Sequence, residues 1–359
     1  MTARTIRPGQ TWLDTNGNRI QAHGGSIFHQ DGVFTWYGEN KEHTTPGSGN
    51  WHWGVRAYTS SDLVNWEDRG LIIPPVLDDP DSPLHPAQSM DRPHIIYNEL
   101  TGKYVCWLKI MNKDDTQAST VLTADTLLGP YDIVRTGLRP LGMDAGDFDL
   151  VVDPATKKAY YYFEKVHTDT ICANLTDDYT DVTGEHSVHF PHPGPPFNRE
   201  APAYFTRDGR HYLVTSSTTG YFPNPSEFAS ATDFHGPWTV LGDAHSGDPS
   251  RTSFHSQISS VFQHPTKKDL YIALADRWLP QLPDDISNVF DAVAARIQGR
   301  PMPEVSGGAD LAEMMALANG ENTAIADYVW LPIRFDGDRP FIDWIDEWSP
   351  EDFESLREG

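Results

Sequence analysis

Cysteine is almost missing from this 359-residue chain, which holds only Cys106 and Cys172. Neither belongs to a CxxC pair or stands at metal-ligand spacing from histidines, so the sequence offers no disulfide framework and no Cys/His site. Both fall inside apolar, strand-like runs (Tyr104-Val105-Cys106-Trp107-Leu108 and Thr170-Ile171-Cys172-Ala173) and read as buried free thiols. Long apolar runs are missing too. No span approaches the roughly 18 residues of a membrane helix, and the opening Met1-Thr2-Ala3-Arg4-Thr5-Ile6-Arg7 has no apolar secretion core. The expectation is a cytoplasmic protein with no membrane partner. Basic residues are scarce, 27 Lys and Arg against 51 Asp and Glu, for a formal charge of −24. A field of that sign repels nucleic acid and anionic lipid and suits neutral substrates.

What the chain has in quantity is turn formers and aromatics: 28 Gly, 28 Pro and 11 Trp. A turn followed by an aromatic strand recurs five times, beginning at Asp31, Thr101, Lys157, Asp208 and Lys267, at intervals of roughly 50 to 70 residues. A second signal follows the first four, for example Tyr58-Thr59-Ser60-Ser61-Asp62 and Ala229-Ser230-Ala231-Thr232-Asp233. Several short strands per unit at that period predict radial β repetition. The chain therefore reads as one all-β domain over residues 1–359, a five-bladed β-propeller. A β-sandwich is the alternative. Residues 344–348 are expected to close the ring.

One stretch breaks the rhythm. Ile286, Val289, Phe290, Val293 and Ile297 fall at helical spacing, and Leu311, Met314, Met315 and Ala318 repeat it after a Gly299-Arg300-Pro301 break. The spacing predicts a helical hairpin over 281–327, inserted in the fifth blade. It should pack as a lid at the rim or bury its face against a second copy of the chain.

A propeller turns the inner strand of every blade toward one central funnel, so acids and polar groups at equivalent positions can converge. Blade one offers His23 and, after Trp36-Tyr37-Gly38, Glu39. Blade two offers Asp91 and Arg92, and blade three Asp147 and Asp149. Blade four offers Glu200 within Asn198-Arg199-Glu200-Ala201-Pro202, and blade five Gln257. Proline after Ala201 should hold that residue extended and place Glu200 at a strand entrance. Taken singly, each of these residues reads as structural; the repeated position is what points to a site.

These segments resemble family 43 glycoside hydrolases, and most closely the branch containing exo-β-1,3-galactanases. The resemblance runs through Ala22-His23-Gly24-Gly25, Trp36-Tyr37-Gly38-Glu39-Asn40-Lys41, Arg92-Pro93-His94, Arg199-Glu200-Ala201-Pro202, Ser253-Phe254-His255-Ser256-Gln257 and Ala275-Asp276-Arg277-Trp278. It implies an inverting exo-hydrolase acting on terminal β-linked galactose. Glu200 would be the acid, Asp147 the residue that tunes it, and Gln257 the group that handles water where related enzymes use an aspartate. Substrate contacts are expected from His23, Tyr37, Glu39, Trp53, Asp91, Arg92, Arg199, Thr219, Tyr221 and Arg277, with Trp51 as a further stacking candidate. No cofactor and no metal are implied. Two local departures stand out: Asp91 where the branch has glutamate, and Ala145-Gly146 where it has Ser-Arg. An arabinofuranosidase or galactofuranosidase, and a sugar-binding propeller without catalysis, are the alternative readings.

Overall fold

The computed structural model describes residues 5–192, 194–283, 286–303, 305 and 322–356. Five antiparallel sheets follow one another along the chain, over residues 23–73, 89–138, 145–189, 199–243 and 257–342. Their innermost strands are His23–Gln30, Ser89–Asn98, Ala145–Val152, Arg199–Arg207 and Gln257–Gln263. Each inner strand touches the next, and the fifth touches the first, so the blades close a ring. The fold is the expected five-bladed β-propeller. Residues 344–348 add no strand to it. Trp348 instead pairs with Ile6 and donates its indole N–H to the Trp330 carbonyl, tying the two ends of the chain together.

The core is divided among the five blade interfaces. Trp36, Trp66, Tyr328 and Trp330 fill the joint between blades five and one. Tyr37, Ile95, Cys106 and Leu122 fill the next, and Trp107, Phe148, Tyr161 and Phe163 the third. Tyr162, Cys172, Tyr204 and Leu213 fill the fourth, and Phe205, Tyr212, Tyr271 and Leu331 the fifth. A blade is thus buried on both faces, which is why its middle strands read as unbroken apolar runs instead of alternating ones. Tyr160-Tyr161-Tyr162-Phe163 is such a run, its odd and even members feeding different interfaces. Cys106 and Cys172 are buried and free, as expected.

Every inner strand carries a bulge close to its entrance, at 23–26, 91–94, 145–148, 200–203 and 258–260. A bulge bends the strand and re-aims the neighbouring side chain. It also tolerates the prolines that a central strand would otherwise reject, here Pro93 and Pro202. Ala201 is therefore not extended, as its place before proline suggested; its φ is 47°, on the left-handed side. Blade one needs Gly25 for the same reason, because a Cβ there would stand 1.9 Å from the Tyr37 carbonyl oxygen.

In the expected insertion, the helix Val289–Ile297 forms and buries Val289, Ala292, Ala294 and Ala295. Leu279, Leu282, Ile286 and Val289 pack with Trp278 and Phe222. Ile297 was expected on the buried face but is exposed at the helix end. The second helical stretch, Leu311 to Ala318, lies outside the described residues.

Candidate active site

Four of the five bulges put a polar side chain of the inner strand at one end of the funnel: Arg92, Asp147, Glu200 and Gln257. Arg92 is their hub. Its backbone N–H donates to Glu39 Oε1 at 2.8 Å. Its Nη2 donates to Asp147 Oδ2 at 2.9 Å and to the Gln257 side-chain oxygen. Its Nη1 is buried and finds no hydrogen-bond partner. Lys109 donates to the other Asp147 oxygen at 2.9 Å. Burial opposes the charged form of Asp147, but Arg92 and Lys109 outweigh it and hold the carboxyl well below its usual range.

Gln257 links this clamp to Glu200. Its Nε2 donates to Glu200 Oε1 and to the Ser216 hydroxyl, each at 3.0 Å. Its oxygen accepts from Arg92 and, at 3.3 Å, from Trp278 Nε1. Arginine and tryptophan can only donate, so the amide has one possible orientation. Glu200 is 9% exposed. Burial first, then the negative charges of Asp147 and Glu164, push its carboxyl well above the ordinary value. Their surroundings thus push the two carboxyls of this pocket in opposite directions, the pattern that acid catalysis requires.

Glu39 pairs with Lys41 at 2.7 Å, and burial raises its carboxyl to about 7. Asp91 accepts from Trp51 Nε1 at 2.6 Å and stands 3.6 Å from Lys41. Trp51, Tyr221 and Trp278 form an aromatic chain along the rim, with ring centroids 6.3 and 5.2 Å apart. A recess lined by Tyr221, Gln257, Trp278, Leu279 and Leu282 joins the Tyr221 and Trp278 rings to Gln257 and to the insertion.

The other residues expected to touch substrate make contacts within the protein. His23 is fully buried; Nδ1 pairs with Asp276 at 2.9 Å, and Nε2 meets the Tyr328 hydroxyl. The Tyr37 hydroxyl accepts the Ile95 N–H at 2.8 Å within the blade interface. Arg199 turns into its own blade and donates to Thr215 and Ser217. The Thr219 hydroxyl bonds Phe222 and Asn224, fixing the loop that carries Tyr221. Arg277 donates to the Phe254 carbonyl and lies over Trp344. Trp53 packs edge-on against His43. His23, Tyr37 and Arg199 are buried, whereas Trp53, Thr219 and Arg277 are partly exposed.

Sequence reasoning missed Lys109, Glu164, Ser216 and Asp276. All four lie near the ends of the second strands of their blades, where Glu39 also sits. Glu164 is buried opposite the blade-three bulge. Ligand atoms of Glu164, His167 and Glu200 lie within 4.8 Å of one another, the one cluster of that kind among the described residues. Two carboxyls so close need a proton or another positive charge between them. His167, bonded to Glu164 at 2.6 Å, is a source of one.

The family model for glycosyl hydrolases family 43 matches residues 26–281. This chain belongs to that family. The expected likeness to the galactanase branch holds. A family 43 β-1,3-galactosidase structure aligns with a TM-score of 0.78 at 27% identity, over 97% of this chain and 64% of the other. The chain thus spans under two thirds of that relative's length. An exo-β-1,3-galactanase from Phanerochaete chrysosporium aligns with a TM-score of 0.76 at 27% identity, over 96% of this chain and 68% of that one. One from Clostridium thermocellum gives 0.73 at 25%, over 96% and 66%. No curated protein matches the sequence at a significant level.

Proposed function

We propose that this family 43 enzyme is an inverting exo-hydrolase that releases terminal β-1,3-linked galactose from galactans or galacto-oligosaccharides. The observation that carries the reading is the buried Glu200 carboxyl, bonded by Gln257 at 3.0 Å, in one pocket with an Asp147 that Arg92 and Lys109 clamp at 2.9 Å each. The choice of sugar rests on the relatives. The fungal galactanase structure is of a glutamate-to-alanine variant with β-1,3-galactotriose. A β-1,3-galactosidase aligned over its entire length, at 27% identity, holds galactodeoxynojirimycin.

In this reading the terminal sugar enters against the Trp51, Tyr221 and Trp278 rings. The spare Nη1 of Arg92 donates to one of its hydroxyls. Glu200 gives its proton to the glycosidic oxygen while water attacks from the opposite face. Inversion needs roughly 6.5–9.5 Å between the acid and the group that handles the water. Gln257 stands 3.0 Å from Glu200, so the incoming sugar parts this contact and takes its place. A neutral amide is a weak base, and Gln257 then positions the water more than it deprotonates it.

The test is turnover of β-1,3-galactobiose, aryl β-galactoside and aryl arabinofuranoside, with the anomer of released galactose followed by NMR. Initial release of α-galactose from the disaccharide is expected. Glu200→Gln should lose about a hundredfold or more on the disaccharide while still binding it. Binding without turnover by the native enzyme would leave a sugar-binding propeller, and initial β-galactose would rule out inversion.

A further inference from the structure

We propose that Glu164 and His167 form a proton-return path to Glu200. This rests on Glu200 being the acid. Each turnover strips its proton and leaves it ionised in a buried pocket, where it must be recharged before the next cycle. Its neighbour Gln257 cannot do this, since an amide N–H does not ionise at neutral pH. Arg92 and Lys109 are held on Asp147.

The Glu164–His167 pair has the geometry for the task. Its inner end is buried, with Glu164 2% exposed, while the His167 side chain is 39% exposed. His167 Nδ1 meets Glu164 Oε1 at 2.6 Å, and Asn198 Nδ2 fixes the same oxygen at 2.8 Å. Space for the carboxylate comes from Gly146, where a Cβ would lie 2.3 Å from Glu164 Oε2. The Glu200 carboxyl follows within 4.8 Å, a gap that direct transfer or one water spans.

The path moves one proton. Solvent hydronium protonates His167 Nε2, the Nδ1 proton passes to Glu164 Oε1, and the Glu164 carboxyl yields its proton to the Glu200 carboxylate. Glu164 ends ionised, His167 neutral with its proton on Nε2, and Glu200 recharged; loss of the Nε2 proton to solvent and reprotonation at Nδ1 reset the imidazole. The proton lost to the leaving sugar is thereby replaced, and the proton of the attacking water passes to bulk water on the other side, so the cycle balances. The charged groups facing Glu200 are Asp147, Glu164, Lys109 and Arg92; those facing His167 are Glu164, Lys109 and Asp147.

The test measures kcat and KM on β-1,3-galactobiose in dilute buffer, with and without added imidazole. His167→Ala should lower kcat about tenfold at unchanged KM, and imidazole should restore it. The loss should be smaller on a nitrophenyl galactoside, whose leaving group needs no proton. Glu164→Gln should also lose kcat, without imidazole rescue. Its alkaline limb should move to lower pH, since a negative charge beside Glu200 is gone. An unchanged kcat in His167→Ala, a loss that imidazole does not touch, or a raised KM at constant kcat would overturn the path. The last result would make the pair a sugar subsite. Native enzyme inactive on every galactoside would overturn the functional reading and this proposal with it.

Discussion

Gln257 donates its amide N–H to Glu200 at 3.0 Å while two obligate donors, Arg92 and Trp278, hold its oxygen from the other side. The amide is a connector with a fixed direction. It leaves Glu200 Oε1 as an acceptor, so the proton of the acid form sits on Oε2. It also couples the acid to Arg92 and, through that residue, to Asp147.

Replacing the amide by a carboxylate should therefore do harm. Gln257→Glu keeps the shape but presents an acceptor to Glu200, and the two carboxyls must then share a proton. We expect kcat on β-1,3-galactobiose to fall about a hundredfold. Gln257→Ala should fall comparably with little change in KM. Native rates in the alanine variant, measured at steady state, would remove Gln257 from the mechanism.

Asp147 makes a pH prediction with a definite sign. Its charge helps keep Glu200 protonated, so Asp147→Asn should lower the Glu200 pKa. Glu200 then loses its proton at lower pH, and the alkaline limb of the kcat/KM profile should shift about one unit toward acid. A limb that stays in place would show that Asp147 has no part in setting the acid, leaving burial and Glu164.

The parts of this site that could be read from the sequence are those that repeat. The turn-plus-aromatic signal located all five blades, because a buried middle strand leaves a dense apolar run wherever it occurs. The inner-strand positions of Arg92, Asp147, Glu200 and Gln257 followed from that register. His23 and Arg199 occupy the same register but face a blade interior, and the bulge geometry that decides this leaves no mark of its own in residue type. Glu164 was missed for a different reason. It ends the Tyr160-Tyr161-Tyr162-Phe163 run just as Glu39 ends Trp36-Tyr37-Gly38, and comparing strand ends across blades would have paired them. Gly146 was visible as a departure from the branch, but the carboxylate it makes room for comes from the neighbouring strand.

The insertion should act on catalysis through Trp278. The indole belongs to the apolar cluster with Leu279, Ile286 and Val289, and its N–H reaches the Gln257 oxygen at 3.3 Å. Phe290 packs edge-on against Phe197, two residues ahead of the strand that carries Glu200, with ring centroids 6.0 Å apart. The segment therefore braces both the acid and its connector. Val289→Asp would bury a carboxylate without a partner, at a cost on the order of 3 kcal/mol to local packing. We expect a several-fold rise in KM for galactobiose, a fall in kcat and weaker discrimination by chain length. Trp278→Phe keeps an aromatic face but removes the hydrogen bond and part of the buried ring, so it should lower kcat with a smaller effect on KM. Scattering mass measured on the Val289→Asp protein separates a lid from a subunit contact: a lid leaves the mass unchanged, and a contact lowers it. Native kinetics and native mass in both variants would show that the segment has no part in the reaction.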